Sequence, residues 1–249
     1  MPSFFVIQHS HHEFLGTIEK QLEHRDIGFV YIRPFVGQAI PGSPQDKDAL
    51  FVLGGPMDPT ETDDFPYLEE ETFLIGQFLK QDQPVVGISL GAQLMAQHFG
   101  GGASEDPELT AAFVNARKTA AGEGDELAEV MDGKEVFVWH AGSVTLPEGV
   151  EPILVDDDGN WLAFRPHPRA YGLLFRPEIK PGIIEDMVME DRPHPDNVGD
   201  LLGYARQAWG AGTMQEVTDQ TVVALVRQLE LMHPHAKPGP AFDFNVQED

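Results

Sequence analysis

The run Val85-Val86-Gly87-Ile88-Ser89-Leu90-Gly91-Ala92-Gln93 constrains this chain more than any other segment. Apolar β-formers lead without a linker into good helix formers, and a serine stands at the junction between two glycines. A strand that becomes a helix within one residue bends sharply, and flanking glycines remove the Cβ atoms that would clash there. This is the G-x-S-x-G elbow, which lifts a side chain above a sheet and offers N–H groups of the helix start to a developing oxyanion. Glycine-containing strand-to-helix turns also serve packing alone in α/β folds, so the motif by itself carries both readings.

The same alternation runs through most of the chain. Ser3–Gln8, Phe29–Ile32, Ala49–Leu53 and Val85–Ile88 read as strands. Phe14–Arg25, Tyr67–Lys80 and Leu90–Phe99 read as helices, with Phe14, Ile18 and Leu22 on one face of the first. Glu69, Glu70 and Glu71 at the start of the second complement its dipole. After Gly100-Gly101-Gly102 the pattern turns to β, with strands expected at Phe113–Ala116, Val136–Trp139, Ile153–Val155, Trp161–Phe164 and Tyr171–Phe175. Helices return at Pro181–Glu190, Asp196–Trp209 and Thr218–Met232. Such alternation predicts a parallel sheet covered by helices on both faces, a three-layer α/β/α domain. The boundaries expected are a main domain over 1–193, a helical extension packed on it over 194–235, and a flexible tail over 236–249.

A chain of 249 residues fits one large domain. Its 41 acidic against 16 basic residues leave a formal charge of −25, which repels nucleic-acid phosphates and anionic membrane surfaces. The chain has no cysteine, which excludes disulfides, thiolate metal sites and a cysteine nucleophile. The N-terminus lacks a basic n-region and a small-residue cleavage site, and nowhere do 18 apolar residues run together. A cytoplasmic protein is expected.

Beyond the elbow, three groups of residues carry a resemblance. Leu53-Gly54-Gly55-Pro56-Met57-Asp58 and Phe65-Pro66-Tyr67-Leu68 precede it, and Val136-Phe137-Val138-Trp139-His140 and Tyr171-Gly172-Leu173-Leu174-Phe175-Arg176-Pro177-Glu178 follow it. In order and spacing, over roughly residues 3 to 190, the chain resembles the class I glutamine amidotransferases. It is most similar to the stand-alone proteins that look like the amidotransferase domain of GMP synthase. The resemblance implies a flavodoxin-like sheet and an elbow cysteine served by a His-x-Glu pair, which release ammonia from glutamine through a thioester. Carried over by position, the nucleophile falls on Ser89, the base on Arg176 and the carboxylate on Glu178, with oxyanion N–H groups at Gly55 and Leu90. Gln93 matches the elbow and either touches a ligand or is a helix-surface amide.

Two of the three chemical groups therefore differ from what the resemblance implies. An alcohol needs a base at the moment of attack, and a guanidinium keeps its proton and has no acceptor lone pair. The stretch Ala103–Thr110 also lacks the Glu-[Ile/Val]-Gly-Trp-like segment that helps such proteins hold glutamine. The expectation is a protein without glutaminase activity that acts as a binding or regulatory partner, toward another protein or a small anionic or amino-acid-like ligand. The competing expectation is a hydrolase in which Ser89 is served by His140 or His167. Arg176 and Glu178, two apart on an extended segment, project to one side and either pair with each other or leave Arg176 to an anion. His9, His11, His12 and Glu13 match no metal-binding spacing, so neither metal nor cofactor is expected. The apolar face of Thr218–Met232 packs on the main domain or forms a homodimer surface.

Overall fold

A computed structural model describes residues 1–102, 109–142, 144–190, 195 and 197–233. The tail from 236 onward and the segment 103–108 lie outside the described residues. In chain order the strands are β1 (Ser3–Ile7), β2 (Gly28–Ile32), β3 (Ala49–Val52), β4 (Val85–Ile88), β5 (Thr110–Asn115), β6 (Arg117–Lys118), β7 (Glu135–His140), β8 (Pro152–Val155), β9 (Trp161–His167) and β10 (Ala170–Leu173). The helices are α1 (Thr17–Glu23), α2 (Tyr67–Lys80), α3 (Leu90–His98), α4 (Glu126–Met131), α5 (Pro181–Glu190), α6 (Val198–Ala211) and α7 (Thr213–Gln228). Among the described residues no helix is long and apolar enough to cross a membrane.

The main sheet runs β2-β1-β3-β4-β10-β9-β8-β6. Its first five members are parallel, in the flavodoxin-like order, and the last three extend it in antiparallel fashion. Central strands β3 and β4 are buried along their whole length, which is why they read as unbroken apolar runs. Alternate side chains divide between two cores. Phe4, Val6, Phe51, Val86 and Ile88 pack against Ile18 and Leu22 of α1, Leu127 of α4, and Val222 and Leu225 of α7. Phe5, Ile7, Leu50 and Val52 pack against Leu74, Ile75 and Phe78 of α2 and Leu94 and Met95 of α3.

A separate antiparallel ribbon, β5–β7, leans on the sheet through a bridge from Val138 to Phe175. Strand β7 is also two-faced. Val136 and Val138 join the first core, while Phe137 and Trp139 join a third cluster with Ile183, Ile184 and Met187 of α5 and Leu201 and Ala205 of α6.

Several boundaries differ from the sequence reading, each for a physical reason. Helix α1 begins at Thr17, not Phe14, because Gly16 takes φ 52° and lies against the Glu178 carbonyl. The segment before it is thereby freed to turn inward. Helix α7 begins at Thr213, joined to α6 through Gly212 at φ 84°, and its apolar face is taken up by the first core, so that face is not open to a second subunit. Strand β6 and helix α4 were absent from the sequence reading. They are very short, and α4 rests on Asp125, whose side chain accepts from Leu127 N and Ala128 N at 3.0 and 3.1 Å.

The elbow glycines mark where α3 presses on the sheet. A Cβ at Gly91 would stand 2.1 Å from the Val52 carbonyl oxygen, and one at Gly87 would stand 2.3 Å from the Gly91 oxygen. Gly203, on the exposed side of α6, has open space around it. Gly91→Ala should therefore lower stability by about 1–3 kcal/mol through overpacking, whereas Gly203→Ala should raise it by about 0.5–1 kcal/mol through helix propensity. Urea unfolding midpoints of the two variants check both signs.

Candidate functional site

Ser89 caps α3 with φ 53° and ψ −111°, a backbone conformation rare for a residue with a Cβ. Strain of that kind costs on the order of 1–3 kcal/mol and persists only where its surroundings enforce it. Here the enforcement comes from the close approach at Gly87 and Gly91, and from the Ser89 N–H donating to the Leu173 carbonyl at 2.7 Å. The Ser89 hydroxyl is fully buried and donates to the Trp139 carbonyl of β7 at 2.8 Å. No imidazole takes part in that contact.

The loop after β3 closes over the elbow. Gly55 is buried, and a Cβ on it would meet Leu90 Cδ2 at 2.7 Å and His9 Cβ at 2.9 Å. The Gly55 turn is thus packed against the Leu90 side chain, next in sequence to Ser89. Gly54 is gripped from two sides. Its carbonyl accepts from His9 Nδ1 at 2.8 Å, and its Cα lies against the Glu13 carboxylate and the Arg176 guanidinium.

Arg176 follows β10, and its N–H donates to Phe137 O at 2.8 Å. Its guanidinium is held by two carboxylates, with Met187 Sδ 3.6 Å from Nη1. Nη1 and Nη2 donate to the two oxygens of Glu13 at 3.0 and 2.9 Å, and Nε donates to Glu178 Oε1 at 2.8 Å. All three side chains are buried. Burial alone would depress the Arg176 pKa, but the two carboxylates more than reverse this and hold it above its ordinary value. Burial pushes the Glu178 carboxyl up, and Arg176 only partly offsets that, because one guanidinium serves two carboxylates. Glu178 Oε2 makes no hydrogen bond among the described residues. Arg176→Met would leave both carboxylates without a cation and should cost about 3–5 kcal/mol, whereas Glu178→Gln, which leaves one carboxylate per guanidinium, should cost less. Chemical denaturation of both variants measures the difference.

A second buried pair supports the same loop. His9 Nε2 lies 2.8 Å from Glu71 Oε2, and both residues are inaccessible to solvent. The sequence reading placed Glu71 with the acidic start of α2. The structure turns it inward, leaving Glu69 and Glu70 in that role. Burial pulls the His9 pKa down, but Glu71 and the Gly54 carbonyl outweigh it and the net shift is upward from 6.5. A histidine with a raised folded pKa contributes stability that is present below its unfolded value and lost as pH rises through the folded one. Stability should therefore fall above pH 6.5 more steeply in the unsubstituted protein than in His9→Asn, as unfolding midpoints measured across that range will show.

The remaining candidates are dispersed. Gln93 is not a surface amide. It is buried, its Nε2 donates to Ala141 O at 3.1 Å, and it thereby ties α3 to the end of β7. His140 ends β7 with Nδ1 2.7 Å from the Gly142 carbonyl, and burial holds its pKa below the ordinary value. His167 pairs with Ala170, which is level with Val85 at the start of β4. Ser89 lies four residues further along, about 13 Å away at ~3.3 Å per residue, so His167 cannot serve it. Among the described residues no group of His, Asp or Glu is arranged to hold a metal ion. His9 and Glu13 face separate partners, while His11 is exposed against the Phe35 ring.

Glu13, His9 and Glu71 are the site residues that sequence reasoning missed as such. Their partners lie far away in the chain; the group His9, His11, His12 and Glu13 after β1 drew notice to two of them, and no local signal marked Glu71.

Comparison with known proteins shows the family to which the chain belongs. The chain is 34% identical over 107 residues to the glutamine amidotransferase-like protein YfeJ of Salmonella typhimurium, covering 42% of this chain and 44% of that protein. It is 25% identical over 207 residues to the glutamine-hydrolyzing GMP synthase of Campylobacter hominis, covering 82% of this chain and 37% of that protein. In both cases the match spans less than half of the relative's own length. A crystal structure of a glutamine amidotransferase from Thermotoga maritima has the same fold, with a TM-score of 0.76 at 22% identity over 92% of this chain and 98% of that one. Residues 10–192 match the family described as glutamine amidotransferase class-I, and the chain belongs to that family.

Proposed function

We propose that this family member does not hydrolyse glutamine and acts by binding, as a partner or regulatory subunit. The observation that carries this reading is the state of the elbow. The Ser89 hydroxyl is buried and donated to a backbone carbonyl, and the side chain at the expected base position is a guanidinium whose donors face Glu13 and Glu178. A guanidinium can neither take the proton of an alcohol nor pass it to a leaving amine. Loss of nucleophile or base in a hydrolase unit typically lowers turnover about a million-fold. The fold, the glycine loop and the buried ion cluster need no catalysis to persist.

Incubation with glutamine should release no ammonia above background, and neither a glutamine-derived diazo ketone nor a fluorophosphonate should add mass to Ser89. Labelling of Ser89 by either reagent would overturn the reading in favour of a hydrolase. Ammonia release in a Ser89→Cys, Arg176→His, Glu13→Gln variant would support descent from an active amidotransferase, since Glu13→Gln removes the charge that Arg176→His leaves unpaired.

A further inference from the structure

Strand β7 borders a second feature whose lining does not include Ser89. The Trp139 carbonyl takes the Ser89 hydroxyl, and the Trp139 side chain faces the third cluster. The next side chain, His140, alternates to the opposite face, where the β5–β7 ribbon and the β8–β9 hairpin border an open cavity of about 610 Å³. That volume suits a small organic molecule. Its floor is apolar and buried, formed by Val138, Leu162 and Leu174, and Trp161 stands in its wall.

His140 is the polar group set into this wall, with 7% of its surface exposed. Nδ1 faces the Gly142 carbonyl, which only accepts, so Nδ1 carries the ring proton. Burial keeps the ring neutral by lowering its pKa. Nε2 is then a lone-pair acceptor, and no hydrogen bond to it is made among the described residues. The cavity's described lining contains the Asp156 carboxylate and neither lysine nor arginine. With a formal charge of −25 on the chain, an anion would enter against the field and find no cation to meet it.

We propose that this cavity binds a small aromatic molecule, uncharged or cationic, that donates an N–H to His140 Nε2 and lays its ring among Val138, Leu162 and Trp161. The site is distinct from the elbow and stands whether or not Ser89 is reactive. It also lies one residue along β7 from the carbonyl that holds the Ser89 hydroxyl, so occupancy bears on the elbow through a single strand.

Three probes of similar size and different charge test the assignment: benzimidazole, benzamidine and benzoate. The reporter is the indole N–H resonance of Trp161, whose Nε1 donates to Val144 O at 2.8 Å. Benzimidazole and benzamidine should shift it saturably, with a Kd of about 0.1–5 mM for molecules of this size. Benzoate should bind at least about tenfold more weakly. His140→Phe, which keeps a ring but removes the acceptor, should weaken the first two by about tenfold. Thr110→Arg places a cation at the exposed rim of the cavity without touching the core, and should move the preference toward benzoate even where His140→Phe fails to fold. No saturable shift with any probe, benzoate binding as tightly as benzamidine, or Trp209 responding while Trp161 does not, would each overturn the proposal.

Discussion

The guanidinium of Arg176 lies where three segments remote in sequence converge: the loop after β1 through Glu13, the stretch after β10 through Glu178, and the Gly54 turn after β3. A buried charge cannot remain uncompensated, so its surroundings must supply carboxylates at hydrogen-bonding distance. The bidentate Glu13 contact and the single Glu178 contact meet that demand and fix the relative positions of all three segments. Glu178 in turn seats α1, because its carbonyl accepts from Thr17 N at 3.0 Å and leaves room only for Gly16. The cluster thus determines where the first helix begins as well as what stands beside the elbow.

The second constraint is the contact between α3 and the sheet. Ser89 holds an uncommon backbone conformation because Gly87 and Gly91 let the helix pass within van der Waals range of β3 and β4. The side chain is raised above the sheet, yet the end of β7 covers it, and the Trp139 carbonyl accepts its hydrogen bond. The elbow persists as shape, while the charged groups beside it are paired with one another. His9 and Glu71 show the same pattern, since their buried contact fastens Gly54 from below.

Strand β7 connects these arrangements to the remainder of the fold. Trp139 closes the third cluster on one face, and His140 opens onto the cavity on the other. Family membership follows from residues 10–192, whereas the details that would decide activity rest on a few side chains inside that span.

Much of the fold was legible in the chain. The bounds of α2, β4 and α5 follow from local signals: an acidic start and basic end for α2, an unbroken apolar run for β4, and a proline at the first position of α5. The elbow was legible too, because its glycines and serine are contiguous. The partner of Arg176 was only half legible, since Glu178 is two residues away and Glu13 is 163 away. Likewise, Glu71 belongs by sequence to a helix start and by structure to His9, 62 residues earlier. The sequence by itself determined the strand-helix alternation, the bend at Ser89 and the absence of a thiol. Only the tertiary structure decided which charges meet and that the hydroxyl is covered, because pairing of buried groups depends on distances that chain folding creates and that no local pattern encodes.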